Sequence, residues 1–248
     1  MTQEAYKARY NTYVALTEQR LKTLCDEYLP VAARISQAAR YSLLGGGKRV
    51  RAVLVLAACE LSGGNVDAAA DYAAALEMLH CYSLIHDDMP CMDNDDMRRG
   101  RPSCHKQYDE ATALLAADAL VTAAFEAVAN APLSASSRVR TAAMLAKAAG
   151  ARGMLYGQEL DKRFETELAS EEQLLELHRH KTGALILAAV QMGCAAADAP
   201  DALQLPLEQY AREIGLVFQI VDDILDVTSS TETLGKPVGS DSENGKTT

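Results

Sequence analysis

Apolar residues recur at three- and four-residue spacing along almost the whole chain, and that periodicity alone excludes most folds. Tyr6, Tyr10, Tyr13, Leu16, Leu21, Leu24 and Leu29 trace one stripe of a first helix, which Pro30 stops. The same spacing predicts helices over about 31–43, 47–62, 66–97, 108–130, 134–164, 170–197 and 205–230. Gly45-Gly46-Gly47, Gly63-Gly64, Pro102, Pro132, Pro200 and Pro206 punctuate them. No stretch alternates as a strand should. TAAMLAKAAGARGMLYG and ALILAAVQMGCAAA are apolar and small around most of their circumference, as helices inside a bundle are. The expected architecture is an all-α bundle forming one domain over residues 1–248, with a polar, glycine-containing loop from Thr228 onward. At 248 residues the chain can bury a core without disulfides or a structural metal.

The net charge is −10, and no basic run is long enough to follow a phosphate backbone, which argues against nucleic-acid binding. No signal-peptide pattern and no run of about 18 uninterrupted apolar residues occurs, so the expectation is a cytoplasmic protein without stable membrane association. The six cysteines, at 25, 59, 81, 91, 104 and 194, form no CxxC pairs. Free thiols are expected, not a zinc site.

The acidic residues are concentrated where an acidic surface has no reason to be. HDDMPCMDNDD (86–96) and VDDILD (221–226) both place paired Asp after an apolar turn. Asp222 and Asp226 are four apart, hence on one helical face, with Asp223 beside them, embedded among Phe218, Ile220, Val221, Ile224, Leu225 and Val227. Like charges in that setting call for a cation between them. In the first cluster Pro90 cannot donate to the carbonyl of His86, so a bulge there is expected to return Asp93 to the face of Asp87. Hard carboxylate oxygens in this pattern suit Mg²⁺ shared with substrate phosphates. A di-iron bundle would need two Glu-x-x-His motifs, and only Glu77-Met-Leu-His80 is present.

An anionic substrate also needs cations. Gly45-Gly46-Gly47-Lys48-Arg49-Val50-Arg51 sets three basic groups at a helix start, where free backbone N–H groups favour phosphate. Arg98, Arg99 and Arg101 follow the first acidic cluster, and Lys181-Thr182 and Lys236 lie farther on. Neither GGGKR nor GSDSENGKT meets the spacing and context of a nucleotide-binding P-loop.

In order along the chain, GGGKRVR, HCYSLIHDDMPCMDNDDMRRGRPSCH, ADAL (117–120), GQELD (157–161), HKTG (180–183) and FQIVDDILD resemble the trans-isoprenyl diphosphate synthases, most of all their bacterial farnesyl-forming branch. The resemblance implies an all-α bundle around a deep central cavity, usually as a homodimer, with two Asp-rich motifs facing each other. It implies that Asp87, Asp88 and Asp93, with Asp222 and Asp226, hold Mg²⁺, three ions once substrate is bound. Arg98, Lys181 and Lys236 match contacts to an allylic diphosphate, and Lys48, Arg51, His80 and Arg99 match the isopentenyl diphosphate site. Thr182 and Gln219 match positions near the reacting centre, and Asp223 completes the catalytic set.

The family pattern associates a bulky residue at Tyr82, five before Asp87, with a fifteen-carbon product, although helical geometry makes Ser83 an equal candidate to face the cavity. A geranylgeranyl-forming enzyme and a noncatalytic synthase subunit are the competing readings; such subunits lose Asp motifs, and both motifs stand here. Members of the family continue with further helices after the motif matching Gly245-Lys246-Thr247-Thr248, and the expectation is that this chain lacks them.

Overall fold

The computed structural model describes residues 2–228, apart from the side chains at 222, 223 and 225–228; Lys236 lies outside the described residues. The described residues are almost entirely helical. Helix α1 (Gln3–Tyr28) opens on Thr2, whose hydroxyl accepts from the Ala5 N–H at 3.2 Å, and it ends just before Pro30. α2 (Arg34–Leu43) and α3 (Val50–Leu61) follow, then α4 (Val66–Asp87), capped by the Asn65 side chain and buried around nearly its whole girth. α6 (Glu110–Asn130) comes after the single turn α5 (Cys104–Gln107), and then α7 (Ala135–Ala149) and α8 (Met154–Phe164). α9 (Glu171–His178) runs through a π-helical turn, Arg179–Gly183, into α10 (Ala184–Ala196), and α11 (Asp201–Thr228) closes the described chain.

Small side chains let the central helices approach closely. A Cβ on Gly193 of α10 would strike the Val55 carbonyl of α3 and come within 2.7 Å of the Ala58 methyl, so the crossing of α3 and α10 admits only glycine. Tyr72 of α4 is fully buried, its hydroxyl 3.0 Å from Ser137 Oγ on α7, which donates to the Ala195 carbonyl at 2.7 Å. One polar chain thus ties three helices through the core without an unsatisfied partner.

Four expectations are corrected. The helix predicted over 66–97 stops at Asp87. Residues 97–102 form a two-stranded hairpin, Met97–Arg98 with Arg101–Pro102, and its turn residues Arg99 (φ 54°) and Gly100 (φ 72°) both take the left-handed geometry that matches strand twist. Two paired residues are too few to show alternation. The helix predicted over 134–164 is broken at Gly150–Gly153, where a Cβ on Gly153 would enter the Ala148 carbonyl. The last helix begins at Asp201, not 205, and carries Pro206 in its second turn.

Candidate active site

The first acidic motif forms where α4 ends. Without an N–H on Pro90 the helical ladder cannot continue, and the chain folds back: Met92 N donates to the Met89 carbonyl at 2.8 Å and Asp93 N to the Asp87 carbonyl at 2.9 Å. Asn94 takes φ 53° to complete the reversal. Asp93 therefore does return to Asp87, through a terminated helix and a tight turn instead of the expected bulge.

Each carboxylate of the motif has its own partner. Asp87 accepts from Gln158 Nε2, Asp88 from Arg98 Nε at 2.9 Å, and Asp93 lies 3.4 Å from Lys162 Nζ. Burial pushes the Asp87 carboxyl up; Lys181 opposes that and Asp93 adds to it. Burial likewise raises Asp88 to about 6 against the pull of Arg98. Among the described residues no three His, Cys, Asp or Glu side chains converge as a ready-made metal cage.

Beside Asp87 lies a cavity of about 110 Å³ to which five segments contribute, α10 among them through Leu185. Arg51 comes from α3; His80, Ser83 and Leu84 from α4; Met154 and Gln158 from α8; Lys181 and Thr182 from the π-helical turn. Arg51 Nη1 is 3.2 Å from His80 Nε2. Burial, reinforced by Arg51 and Arg99, holds the His80 imidazole well below its ordinary basicity, so the ring is neutral. Arg51 Nε is buried and has no hydrogen-bond partner among the described residues. An orphaned guanidinium donor in a polar cavity is costly unless an anion reaches it.

Across the cavity, Lys181 Nζ donates to Asp161 Oδ2 at 2.6 Å, and Thr182 Oγ1 donates to Gln219 Oε1 of α11 at 2.6 Å. A Cβ on Gly157 would run into the backbone of His180 and Lys181, so glycine there is what lets α8 lie against the π turn. That turn is itself a departure from helical register of the kind found at functional sites.

The basic residues divide sharply. Lys48 is exposed and does not line the cavity. Arg49 is spent internally, 2.7 Å from Glu18, 3.2 Å from Glu77 and 2.7 Å from the Leu43 carbonyl. Glu77 is thereby a structural counter-ion, and its Glu-x-x-His pairing with His80 has no metal-binding meaning. Arg99 donates to the Gly46 carbonyl, and its guanidinium occupies the space a side chain on Gly47 (φ 130°) would need. Arg98 is held by Asp88 and, at 3.2 Å, by Asp95.

The structure thus brings Arg51, His80, Asp87, Lys181 and Thr182 to one cavity, with Asp88, Asp93, Arg98 and Arg99 on its flank. Tyr82 does not line it; Ser83 does, while Tyr82 packs edge-on against His86 with ring centroids 5.4 Å apart. Asp222, Asp223 and Asp226 lie on α11 with their side chains outside the described residues. Gln158, Asp161 and Lys162 escaped assignment from sequence, although the GQELD segment had already stood out as a motif.

Comparison with known proteins identifies the family. The polyprenyl synthetase family model matches residues 32–248. A farnesyl diphosphate synthase of Micrococcus luteus is 46% identical over 227 residues, 92% of this chain and 78% of that protein. A chloroplastic geranylgeranyl pyrophosphate synthase 9 of Arabidopsis thaliana is 48% identical over 96% of this chain and 69% of its own length. The crystal structure of a geranyltransferase from Legionella pneumophila superposes with a TM-score of 0.85 at 41% identity, covering 93% of this chain and 84% of that one. The chain belongs to the polyprenyl synthetase family of trans-prenyltransferases.

Proposed function

We propose that this protein condenses isopentenyl diphosphate with dimethylallyl and geranyl diphosphate to give farnesyl diphosphate. The observation that carries the reading is the cavity with a buried, unpartnered Arg51 donor and a neutral His80 at one side and Asp87, Lys181 and Thr182 at the other. One diphosphate docks on Arg51, His80, Lys48 and Arg99; the second docks near Lys181, with Arg98 and Lys236 as further contacts. The first-motif carboxylates fit Mg²⁺: they offer hard oxygens only, and the burial that raises Asp87 and Asp88 is offset by a cation. Asp87, Asp88, Asp93, Asp222 and Asp226 would hold up to three such ions, whose chemistry is to disperse the negative charge of the departing diphosphate.

The chain's own residues do the rest. Lys181, steadied by Asp161, adds positive charge where the allylic C–O bond breaks and diphosphate leaves with the electron pair. Thr182 and Gln219, bonded to each other, present dipoles toward the allylic cation. Leu84, Met154 and Leu185 keep water from it. The isopentenyl double bond then forms the new C–C bond, and the proton lost from the adjacent carbon goes to the released diphosphate, since no described side chain in the cavity is an evident base.

A twenty-carbon product is the second reading, favoured by Ser83 rather than Tyr82 lining the cavity. We infer a cytoplasmic homodimer as well: six free cysteines suit a reducing compartment, and the outward face of α6 exposes Leu114 (46%) and Leu115 (51%). The deciding experiment incubates the protein with Mg²⁺, isopentenyl diphosphate and dimethylallyl or geranyl diphosphate and identifies the product by chromatography. A fifteen-carbon diphosphate is expected. A twenty-carbon one would replace the first reading with the second, and no diphosphate release would refute both.

A further inference from the structure

One face of α8 runs along the turn that carries Asp87 and Asp93. Gln158, Asp161 and Lys162 recur on it at three- and four-residue spacing, and Glu165 at the C-terminal cap continues the stripe. Gln158 bonds Asp87, and Asp161 bonds Lys181. Lys162 reaches the turn itself. Its Nζ donates to the Met92 carbonyl at 2.8 Å, stands 3.4 Å from Asp93 Oδ1, and donates to Glu165 Oε1 at 2.6 Å. An ammonium group thus already faces a carboxylate that the proposed function gives to Mg²⁺.

Two cations at one carboxylate repel each other. The Lys162 and Asp93 side chains are only 29% and 12% exposed, so water screens that repulsion weakly. Mg²⁺ also keeps several waters in an octahedral shell, and those need the room the ammonium takes. Lysine is suited to withdraw, because it is a point charge on a flexible stem and not a planar fork that grips both carboxylate oxygens. Its two carboxylate partners are unequal. Glu165, at 2.6 Å, holds the ammonium more closely than Asp93 does at 3.4 Å, and it lies one helical turn along and outside the proposed metal set. On leaving Asp93 the ammonium therefore keeps a counter-ion.

We propose that Lys162 is a built-in competitor of Mg²⁺ for Asp93, and that the Lys162–Glu165 pair sets how much Mg²⁺ the first motif needs. Before metal enters, the ammonium neutralises Asp93 and fixes the turn through the Met92 carbonyl. Metal entry displaces it toward Glu165. No covalent step is involved, and no proton has to move. Lys162 touches neither substrate nor the reacting atoms, so it is a positioning residue that acts through Asp93. The inference rests on the reading that the first-motif carboxylates hold Mg²⁺, but not on which product length the protein makes.

The test titrates the full chain with Mn²⁺, which takes the same octahedral oxygen sites, and counts the free ion by electron paramagnetic resonance with no diphosphate present. Asp93→Asn is expected to weaken binding about tenfold or more. Lys162→Met should tighten it about tenfold, while Lys162→Arg, which keeps the charge, should stay close to wild type. Lys162→Gln removes the charge but keeps an N–H for the Met92 carbonyl, and it gives the same readout should Lys162→Met melt early. Glu165→Gln should weaken Mn²⁺ binding several-fold in the wild-type background and leave it unchanged in Lys162→Met, where no ammonium needs a new partner. The Mg²⁺ concentration for half-maximal turnover should fall in Lys162→Met in parallel. Lys162→Met and Lys162→Gln that both loosen Mn²⁺ or leave it unchanged would overturn the proposal. So would an equal Glu165→Gln effect in both backgrounds, since that is the behaviour of a direct metal ligand. If Asp93→Asn weakens binding and the Lys162 variants do not tighten it, this proposal fails alone; if Asp93→Asn has no effect, the Mg²⁺ reading of the motif fails with it.

Discussion

Arg49 and Arg51 stand two residues apart at the start of the same helix, both largely withdrawn from solvent, and they have opposite relations to their surroundings. Arg49, in the left-handed region at φ 52°, spends its guanidinium on Glu18, Glu77 and the Leu43 carbonyl. Arg51 has His80 for one nitrogen and nothing among the described residues for Nε. A charge that is fully partnered inside the protein holds the fold together; one left short of partners at a cavity is kept for something the fold does not contain.

The largest expected effect tests the first half of that contrast. Arg49→Ala leaves Glu77, 3% exposed at its side chain, without its cation and should cost about 3–5 kcal/mol in urea denaturation. A loss under about 1 kcal/mol would mean that water replaces the network without penalty. Arg51→Met should do the reverse. Stability is expected to hold or rise, because an unsatisfied buried donor is removed, while kcat/KM for isopentenyl diphosphate falls roughly 10²-fold. If Arg51→Met unfolds the protein as Arg49→Ala does, the two residues are not different in kind.

Asp88 extends the comparison to the acidic side. Its folded carboxyl is raised to about 6 from 3.8, so between those values the native state binds more protons than the unfolded chain. The stability it contributes is present at the acid end and lost as pH rises through about 6. In EDTA the difference in melting temperature between wild type and Asp88→Asn should change across that window, with wild type losing ground as pH rises. A difference that stays flat would show that Arg98 compensates the burial fully. The smallest effect concerns Tyr82 and Ser83. Tyr82→Ala should lengthen the product if Tyr82 is the floor, at about 3–5 kcal/mol of stability, since the ring is 6% exposed and packed on His86. Ser83→Phe should shorten the product without that cost if the cavity face sets length. A product spectrum unchanged by both variants would remove this helix from the control of chain length.

Much of the site was readable from residues in order. The clustered Asp of the first motif, the basic residues near it and the Lys181-Thr182 pair have chemistry that is out of place in apolar helices, while the side chains of Asp222, Asp223 and Asp226 lie outside the described residues. The return of Asp93 to Asp87 was anticipated from Pro90, yet by a different device: a lost N–H ended the helix where a bulge had been expected. Gln158 and Asp161 were passed over because a Gln and an Asp on a polar helix face look like solvated side chains until α8 is laid against the π turn. The breaks at Gly150–Gly153 and in the π turn could not be read from apolar spacing, which stays helical through both.

What the chain settles by itself is local. Spacing of three and four residues, small side chains, capping residues such as Thr2, Asn65 and Ser170, and the order of the motifs depend on neighbours within a turn or two. Which charge is satisfied and which is left open depends on groups far away in sequence: Arg49 finds Glu18 31 residues back and Glu77 28 residues on. Lys181 finds Asp161, and Asp87 finds Gln158 71 residues away. Only packing decides those pairings, because hydrogen bonds and burial act over a few ångströms of space whatever the distance along the chain.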